Sequence, residues 1–267
     1  MPKRPKLPAL RPSELVPNAP GRIARLKPVR GFAHSLHIGL NVLLPVAAYI
    51  LVKIDFVGLA ILLILLSKWQ MFAVRMRYWL PNLVSNGVDI LVAVSLVLFM
   101  ANTSSTWWQL LWTLLYIGWL VWLKPRSDVL SVSGQAMIGQ LLALSVLYLK
   151  FGDASLPVLV AATWGVAYVG ARHFLTSFEE SQVYLLSHIW AYFAAALAFI
   201  LGHWLLFYGS VAQIIVILTT IGYGLAAMYY LEATDRLSKL MERQLLLIMI
   251  AILVVVFLLS DWSGVTV

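Results

Sequence analysis

Ionisable side chains crowd into one short stretch of the sequence, residues 171–190, which reads ARHFLTSFEESQVYLLSHIW. It contains Arg172, His173, Glu179, Glu180 and His188. Imidazole and carboxylate groups can ligate metals or exchange protons, and an arginine fork fits a phosphate. The stretch is therefore either a chemical site or the turn where the chain reverses at a membrane surface.

A metal centre here would combine His173, Glu180 and His188, with Glu232 or Asp235 as a fourth ligand. Two of these groups, Glu180 and His188, would be separated by about 12 Å of helical rise, too far for one ion. The sequence also lacks cysteine and shows no phosphate-binding glycine loop or hydrolase signature. We therefore expect no metal and no cofactor.

The simpler interpretation is that two helix ends meet in this stretch. Arg172 and His173 would end one helix, where positive charge is favoured, and the glutamates would begin the next. Thr176 and Ser177 precede the two glutamates by three residues, which is the capping-box spacing. His188, about two turns further on, is left without an explanation.

Basic loops elsewhere are predicted to lie at the same membrane face. One interpretation is solvated loops that contact anionic lipid headgroups. The sharper hypothesis is a convergent phosphate or headgroup site. Its candidate residues are Arg75, Arg77, Arg126, Arg172, His173, Glu180 and His188.

Polar groups near the middle of the apolar segments are neutral, which argues against ion-driven pumps. Pro45 removes the donor for the Asn41 carbonyl, so we expect a kink that is satisfied by packing or lines a cavity. Gln140 is expected to hydrogen-bond a neighbouring helix, and Gln135 lies about 140° away around the same helix. The candidate polar positions inside the membrane are thus Asn41, Pro45 and Gln140.

Two patterns concern helix packing. Small residues predict close helix contacts at Gly134, Gly139, Gly165, Gly170, Gly222, Gly224 and Ala194–Ala196. A ladder of aromatic residues is either a packing face or a groove for a lipid tail, and it comprises Trp108, Trp112, Tyr116, Trp119 and Trp122.

Composition identifies the elements that must position these residues. The chain of 267 residues is 62% hydrophobic and 11% charged, with a mean hydropathy of +0.90, whereas soluble domains are roughly 25% charged. Most of its surface must therefore face lipid. The net charge of +8 lies in a tail and in short loops, so it indicates membrane topology, and no nucleic-acid partner is expected.

The predicted organisation is a tail followed by one membrane domain. Residues 1–32 are expected to form a disordered, basic, proline-rich cytoplasmic tail, because residues 1–30 hold eight of the basic residues and seven of the eleven prolines. Residues 33–267 are expected to form a single all-α polytopic bundle of about nine transmembrane helices. The predicted spans are 33–52, 54–73, 87–101, 106–123, 129–149, 156–174, 182–207, 210–231 and 244–260.

Charge distribution predicts the orientation. With the N-terminus inside and the C-terminus outside, nine crossings place 17 of the 19 basic residues on the inner side, as expected for cytoplasmic loops. Only Lys53 and Lys150 lie outside. We therefore predict a multi-pass protein of the cell membrane with a cytoplasmic N-terminus. Whether residues 33–73 and 182–231 form full hairpins or re-entrant pairs is left open.

Three function classes fit these patterns. The first is a carrier or flippase of a lipid-like or amphipathic small molecule. The second is a non-catalytic scaffold or assembly factor with a membrane-protein partner. The third is an enzyme that acts on a lipid-linked substrate at the cytoplasmic face. All three imply contact with the bilayer and with anionic headgroups at that face.

Overall fold

A computed structural model of the chain describes residues 32–69, 73, 75–178, 180–202, 207–208 and 211–260. The predicted tail, except Phe32, and Glu179 therefore lie outside the described residues. The chain divides into one unit that ends at Gly39 and one that runs from Leu40 to Val267. The described part of the first unit is the beginning of the first helix.

The described residues form ten α-helices. Their bounds are α1 Phe32–Lys53, α2 Val57–Ser67, α3 Trp79–Ser85, α4 Gly87–Ala101, α5 Thr106–Gly118, α6 Val129–Phe151, α7 Leu156–Thr176, α8 Val183–Gly202, α9 Gln213–Ala233 and α10 Lys239–Leu259. A 3-10 turn, Met76–Tyr78, precedes α3, and a π-helical turn, Trp119–Leu123, extends α5. Two-residue strands, β1 Phe207–Tyr208 and β2 Val211–Ala212, pair antiparallel between α8 and α9.

Among the described residues, five helices are long and apolar enough to cross a membrane, namely α6 to α10. The count is six if the bent pair Met76–Ser85 and Gly87–Ala101, which meet at 62°, forms one span. The prediction of an all-helical bundle of apolar helices is thus confirmed, whereas nine spans and the orientation remain predictions. Within the predicted span 54–73, helix α2 has only 11 residues, a rise of about 16 Å against a hydrocarbon core of about 30 Å.

The two long apolar segments, 33–73 and 182–231, are interrupted where the sequence is least apolar. Between α1 and α2 the chain turns through Asp55, whose φ of 62° lies in the left-handed region that aspartate tolerates. The side chain of Lys53 donates to Thr106 Oγ1 at 3.0 Å. Between α8 and α9 the break is the β1–β2 ribbon, at the position of the predicted division.

The apolar interior has two main parts. One lies among α1, α2, α4 and α5, and the other lies among α6, α7, α8 and α9. Fully buried alanines of α8, Ala191, Ala194 and Ala198, form part of the second and let α7 and α8 approach closely. The aromatic ladder is divided: Tyr116 and Trp119 are buried, whereas Trp108 and Trp122 are mostly exposed.

The predicted close helix contacts at glycines are confirmed at some positions and are wrong at others. A Cβ at Gly139 of α6 would lie 2.8 Å from Val88 Cγ1 of α4, and one at Gly170 would lie 3.1 Å from Gln140 Oε1. Nothing lies within 4 Å of such an atom at Gly134 or Gly165, because these glycines face away from the neighbouring helices. Of the five long apolar helices, α10 is the least buried, with 6% of its spanning window buried.

Candidate functional site

The seven candidate residues at the predicted cytoplasmic face are engaged in separate local contacts. Arg77 donates to the Tyr78 hydroxyl at 2.6 Å and lies over that ring, while Arg75 and Arg126 are exposed. Arg172 and His188 contact aromatic residues between α7 and α8. His173 and Glu180 take part in two further networks. The structure therefore does not gather these side chains into one site.

His173 belongs to a network that ties α7 to the connection between the π-helical turn and α6. The Nε2 atom of Gln135 donates to the carbonyls of Leu123 at 2.7 Å and Arg126 at 3.1 Å. Its Oε1 atom lies 3.2 Å from His173 Nε2. Because an amide oxygen can only accept, His173 carries its proton on Nε2. This arrangement joins the end of α7 to the connection that precedes α6.

Glu180 is bound to α9. The Tyr229 hydroxyl donates to Glu180 Oε2 at 2.6 Å, and this hydrogen bond lowers the pKa of the Glu180 carboxyl group. The predicted capping box includes Glu179, which lies outside the described residues, and the hydrogen bonds described for Glu180 do not involve Thr176 or Ser177. Their hydroxyls donate instead to the α7 carbonyls of Arg172 and Phe174, at 2.6 and 2.7 Å, because α8 begins only at Val183.

His188 packs in an aromatic cluster between α7 and α8. Its Nδ1 lies 2.7 Å from the carbonyl oxygen of Tyr184, so Nδ1 is the protonated donor. The ring centroids of Tyr168, Trp164 and Tyr192 lie 4.8, 5.8 and 6.4 Å from that of His188. Across the described residues, no group of three or more His, Asp or Glu side chains is arranged to hold a metal ion.

An apolar cavity, here called the central cavity, lies among α6, α7, α8 and α9. It has a volume of about 460 Å³. Its wall is almost entirely apolar and includes Met137, Phe174, Ile189, Phe193, Leu225 and Ala226. Small residues on α7 and α9, Gly170 and Gly222, leave room beside a larger side chain on α6, Gln140.

Gln140 supplies a polar group in the wall of the central cavity. Trp190 Nε1 donates to Gln140 Oε1 at 3.2 Å. Since indole is a donor only, the amide must present its oxygen to Trp190, which leaves Nε2 free to donate. A Cβ at Gly222 would lie 3.5 Å from that Nε2 atom. The amide nitrogen therefore lies against Gly222, which is also part of the cavity wall.

The central cavity reaches the end of the bundle where α7 joins α8. Tyr229, which donates to Glu180, is part of the cavity wall. Because the hydrogen bond lowers the pKa of the Glu180 carboxyl group, this end of the cavity carries a negative charge at neutral pH. The Tyr229–Glu180 bond also links α9 to the connection between α7 and α8.

Asn41 and Pro45 lie apart from this cavity. Pro45 is buried within α1, which continues through it to Lys53, and Asn41 is half-buried. Neither residue belongs to the wall of the central cavity. Of the candidate positions inside the membrane, Gln140 is the one that the structure places beside a ligand-sized space.

A charged cluster that the sequence did not reveal joins α2, α4 and α5. Oδ2 of Asp89 lies 2.9 Å from Lys68 Nζ and 2.8 Å from Lys124 Nζ. Its other oxygen, Oδ1, accepts from Trp119 Nε1 at 3.1 Å. The Asp89 and Lys68 side chains are only 14% and 12% exposed. We call these four residues the Asp89 cluster.

The π-helical turn explains how Trp119 and Lys124 reach the same carboxylate. In a regular α-helix, residues five positions apart point about 140° away from each other. Here the Lys124 amide donates to the Trp119 carbonyl at 2.9 Å, which closes a wider turn and brings the two side chains to one face. Burial alone would lower the pKa of Lys124, but the Asp89 carboxylate outweighs burial and raises it.

No family model, curated protein or solved structure matches this chain. Its apolar helices indicate an integral membrane protein, and the central cavity and the Asp89 cluster are two of the places among the described residues where polar groups meet beside those helices.

Proposed function

We propose that the protein is a carrier of an amphipathic, lipid-like molecule that binds in the central cavity. The observation that supports this proposal is an apolar space of about 460 Å³ with an amide donor in its wall. Ligand pockets range from about 300 to 1,000 Å³ and combine apolar walls with a few placed polar groups. The apolar wall would bind a chain or ring, and Gln140 Nε2 would donate to a carbonyl or hydroxyl oxygen.

The same proposal includes an arrangement of nine spans in the cell membrane, with a cytoplasmic N-terminus. Its support is the distribution of basic residues in the sequence. The Tyr229–Glu180 end of the central cavity would then face the cytoplasm and act as a gate. Breaking this hydrogen bond would free α9 from the connection between α7 and α8. A reporter fused after Val267 should be found outside the cell, and a cytoplasmic signal would contradict the topology.

Substituting Ala226 by tryptophan tests the cavity directly. The larger side chain should fill the space and reduce the amount of copurified amphipathic molecule about tenfold or more, because bound ligand and indole would compete for one volume. The measurement is mass spectrometry of the small molecules and lipids extracted from the purified protein. Ala251→Trp is the matched control, since Ala251 is exposed on α10.

Equal recovery of the same molecule from wild type, Ala226→Trp and Ala251→Trp would show that the central cavity is not its binding site. A thermal unfolding curve for each variant separates loss of ligand from loss of fold. Transport itself is tested with the identified molecule in vesicles that contain the purified protein. Binding without movement across the bilayer would contradict the carrier function.

Replacement of Gln140 by leucine tests the polar contact. We expect about five- to tenfold weaker retention, the effect of losing one buried hydrogen bond of about 1–1.5 kcal/mol. Met137→Leu is the control, because Met137 lines the same cavity from the same helix and the swap nearly conserves volume. Unchanged retention in Gln140→Leu would mean that the amide does not contact the ligand.

The other two function classes have less support. A scaffold or an enzyme at the cytoplasmic face would explain basic loops and exposed apolar helices. A scaffold does not need a ligand-sized space with an amide donor in its wall, and the candidate cytoplasmic residues of an enzyme do not converge on one point.

A further inference from the structure

Arg172 has an unusual environment near the end of α7. Its Nη1 donates to the Tyr168 hydroxyl and its Nη2 to the Tyr184 hydroxyl, both at 3.1 Å. The guanidinium carbon lies 4.5 Å from the centre of the Tyr184 ring. No carboxylate of the described residues pairs with it, since both ion pairs found there involve Asp89. A half-buried positive charge is thus held by phenol groups and has no ion-pair partner among the described residues.

The hydrogen bonds around Arg172 leave a set of donors available. A guanidinium group has five N–H donors, and two of them are engaged. Each phenol oxygen accepts from Arg172, so the hydroxyl hydrogens of Tyr168 and Tyr184 remain free to donate. The positive charge and these O–H groups lie together. This combination fits an anionic phosphate, which offers several acceptor oxygens around one centre.

Aromatic side chains extend from Arg172 along α7 and α8. Trp164 stacks on Tyr168 with centroids 5.3 Å apart and planes inclined by 2°. Tyr192 meets the edge of Trp164 at 6.0 Å, and the His188 ring lies beside both, 5.8 Å from Trp164 and 6.4 Å from Tyr192. The side chains of Tyr184 and Tyr192 are 63% and 65% exposed, so this surface faces lipid in a membrane. A charged head region therefore continues into an aromatic surface.

The aromatic surface ends in a groove between the same two helices. The groove has a volume of about 580 Å³, and its lining includes Pro157, Val160, Ala161, Trp164, Tyr192 and Phe199. From Arg172 to Pro157 the helical rise is about 22 Å, a length suited to an extended acyl chain within a hydrocarbon core of about 30 Å. None of its lining residues belongs to the central cavity.

We propose that this surface is a specific site for a phospholipid with a net negative headgroup. The phosphate binds Arg172 and the hydroxyls of Tyr168 and Tyr184, and one acyl chain follows Trp164 and Tyr192 into the groove. A zwitterionic headgroup fits less well, because the cation at the site repels a choline or ethanolamine group. The site is separate from the central cavity and does not rest on the carrier function.

The test uses purified full-length protein exchanged into vesicles with equal amounts of phosphatidylglycerol and phosphatidylcholine. Lipids that remain bound after mild detergent extraction are counted by native mass spectrometry. Wild type should retain phosphatidylglycerol in preference to phosphatidylcholine. Arg172→Gln should retain about tenfold less of it, as expected when a charged hydrogen-bonding group is lost. Tyr184→Phe, which removes only an exposed hydroxyl, should give a smaller loss in the same direction.

The control is Arg236→Gln, which removes an exposed cation from the loop between α9 and α10 and should change nothing. Equal phosphatidylglycerol retention by wild type and Arg172→Gln would overturn the proposal. Displacement of the lipid by inorganic phosphate alone would also overturn it, since that result indicates a site for a free anion. Ala226→Trp should not alter phosphatidylglycerol retention. If it abolishes retention, the lipid occupies the central cavity and the groove is not its site.

Discussion

Replacing Asp89 by alanine should destabilise the bundle by about 3–5 kcal/mol, the cost of removing one partner from a buried ion pair. The substitution leaves the Lys68 and Lys124 ammonium groups beside each other without their shared carboxylate, which lies 2.9 and 2.8 Å from them. It also removes the acceptor of Trp119 Nε1. Since the four residues belong to α2, α4 and the segment that follows α5, loss of Asp89 should loosen three helices at once.

The measurement is unfolding of the purified protein by a denaturing detergent, followed by circular dichroism. Asp153→Ala is the matched control, because Asp153 is exposed in the loop before α7. A combined replacement of Asp89, Lys68 and Lys124 by leucine should recover much of the stability, since apolar groups of similar volume often replace a buried ion pair without loss. Equal stability of Asp89→Ala and Asp153→Ala would show that the cluster contributes nothing.

The second large effect is expected at Gly139, where α6 packs tightly against α4. An added Cβ would lie 2.8 Å from Val88 Cγ1 and 3.5 Å from Val92 Cγ2. Valine is stiff about its first torsion angle and cannot swing away, so Gly139→Ala should cost about 1–3 kcal/mol by overpacking. Val88 immediately precedes Asp89, so a displaced α4 would also strain the Asp89 cluster.

A compensating pair makes this prediction specific. Val88→Ala removes the methyl group that an added Cβ would meet, so the double variant Gly139→Ala with Val88→Ala should be more stable than the sum of the single effects implies. Gly134→Ala serves as the control on the same helix, because nothing lies within 4 Å of its new Cβ. Strict additivity of the two substitutions, measured by the same unfolding assay, would contradict direct contact at this position.

The helices were largely predictable because their bounds depend on local properties. The segment predicted at 87–101 coincides with α4 Gly87–Ala101, and the breaks at Asp55 and near residues 208–210 fall where apolar runs are interrupted. The lengths of the helices were less predictable than their positions. Hydropathy marks where an apolar segment lies, but it does not show whether a short helix such as α2 crosses the bilayer.

The Asp89 cluster was not predictable, for two physical reasons. Asp89 lies 21 positions from Lys68 and 30 from Trp119, and only the packing of α2, α4 and α5 brings them together. A regular helical period also places Trp119 and Lys124 on different faces, whereas the π-helical turn brings them together. The sequence offered one signal for this cluster. It was an acidic residue in the first turn of an apolar segment, together with lysines at the ends of two other apolar segments.

The central cavity was predictable only in part. Gln140 could be singled out as a neutral polar group far from both ends of an apolar segment. The empty space beside it depends on glycines and alanines of α7 and α9, which meet α6 only in the folded bundle. His188 is the opposite case. Its position in the sequence suggested a chemical site, but its ring contacts with Tyr168, Trp164 and Tyr192 place it in the surface between α7 and α8.

The sparse protein contacts of α10 have a consequence for how the molecule responds to its bilayer. Its 21 residues span about 31 Å, close to the thickness of an average hydrocarbon core. With 6% of its spanning window buried, α10 can change its tilt to match a thinner or thicker membrane while breaking few contacts. It packs mainly on α9, where Met249 meets Gly224, so membrane thickness can be transmitted to one wall of the central cavity.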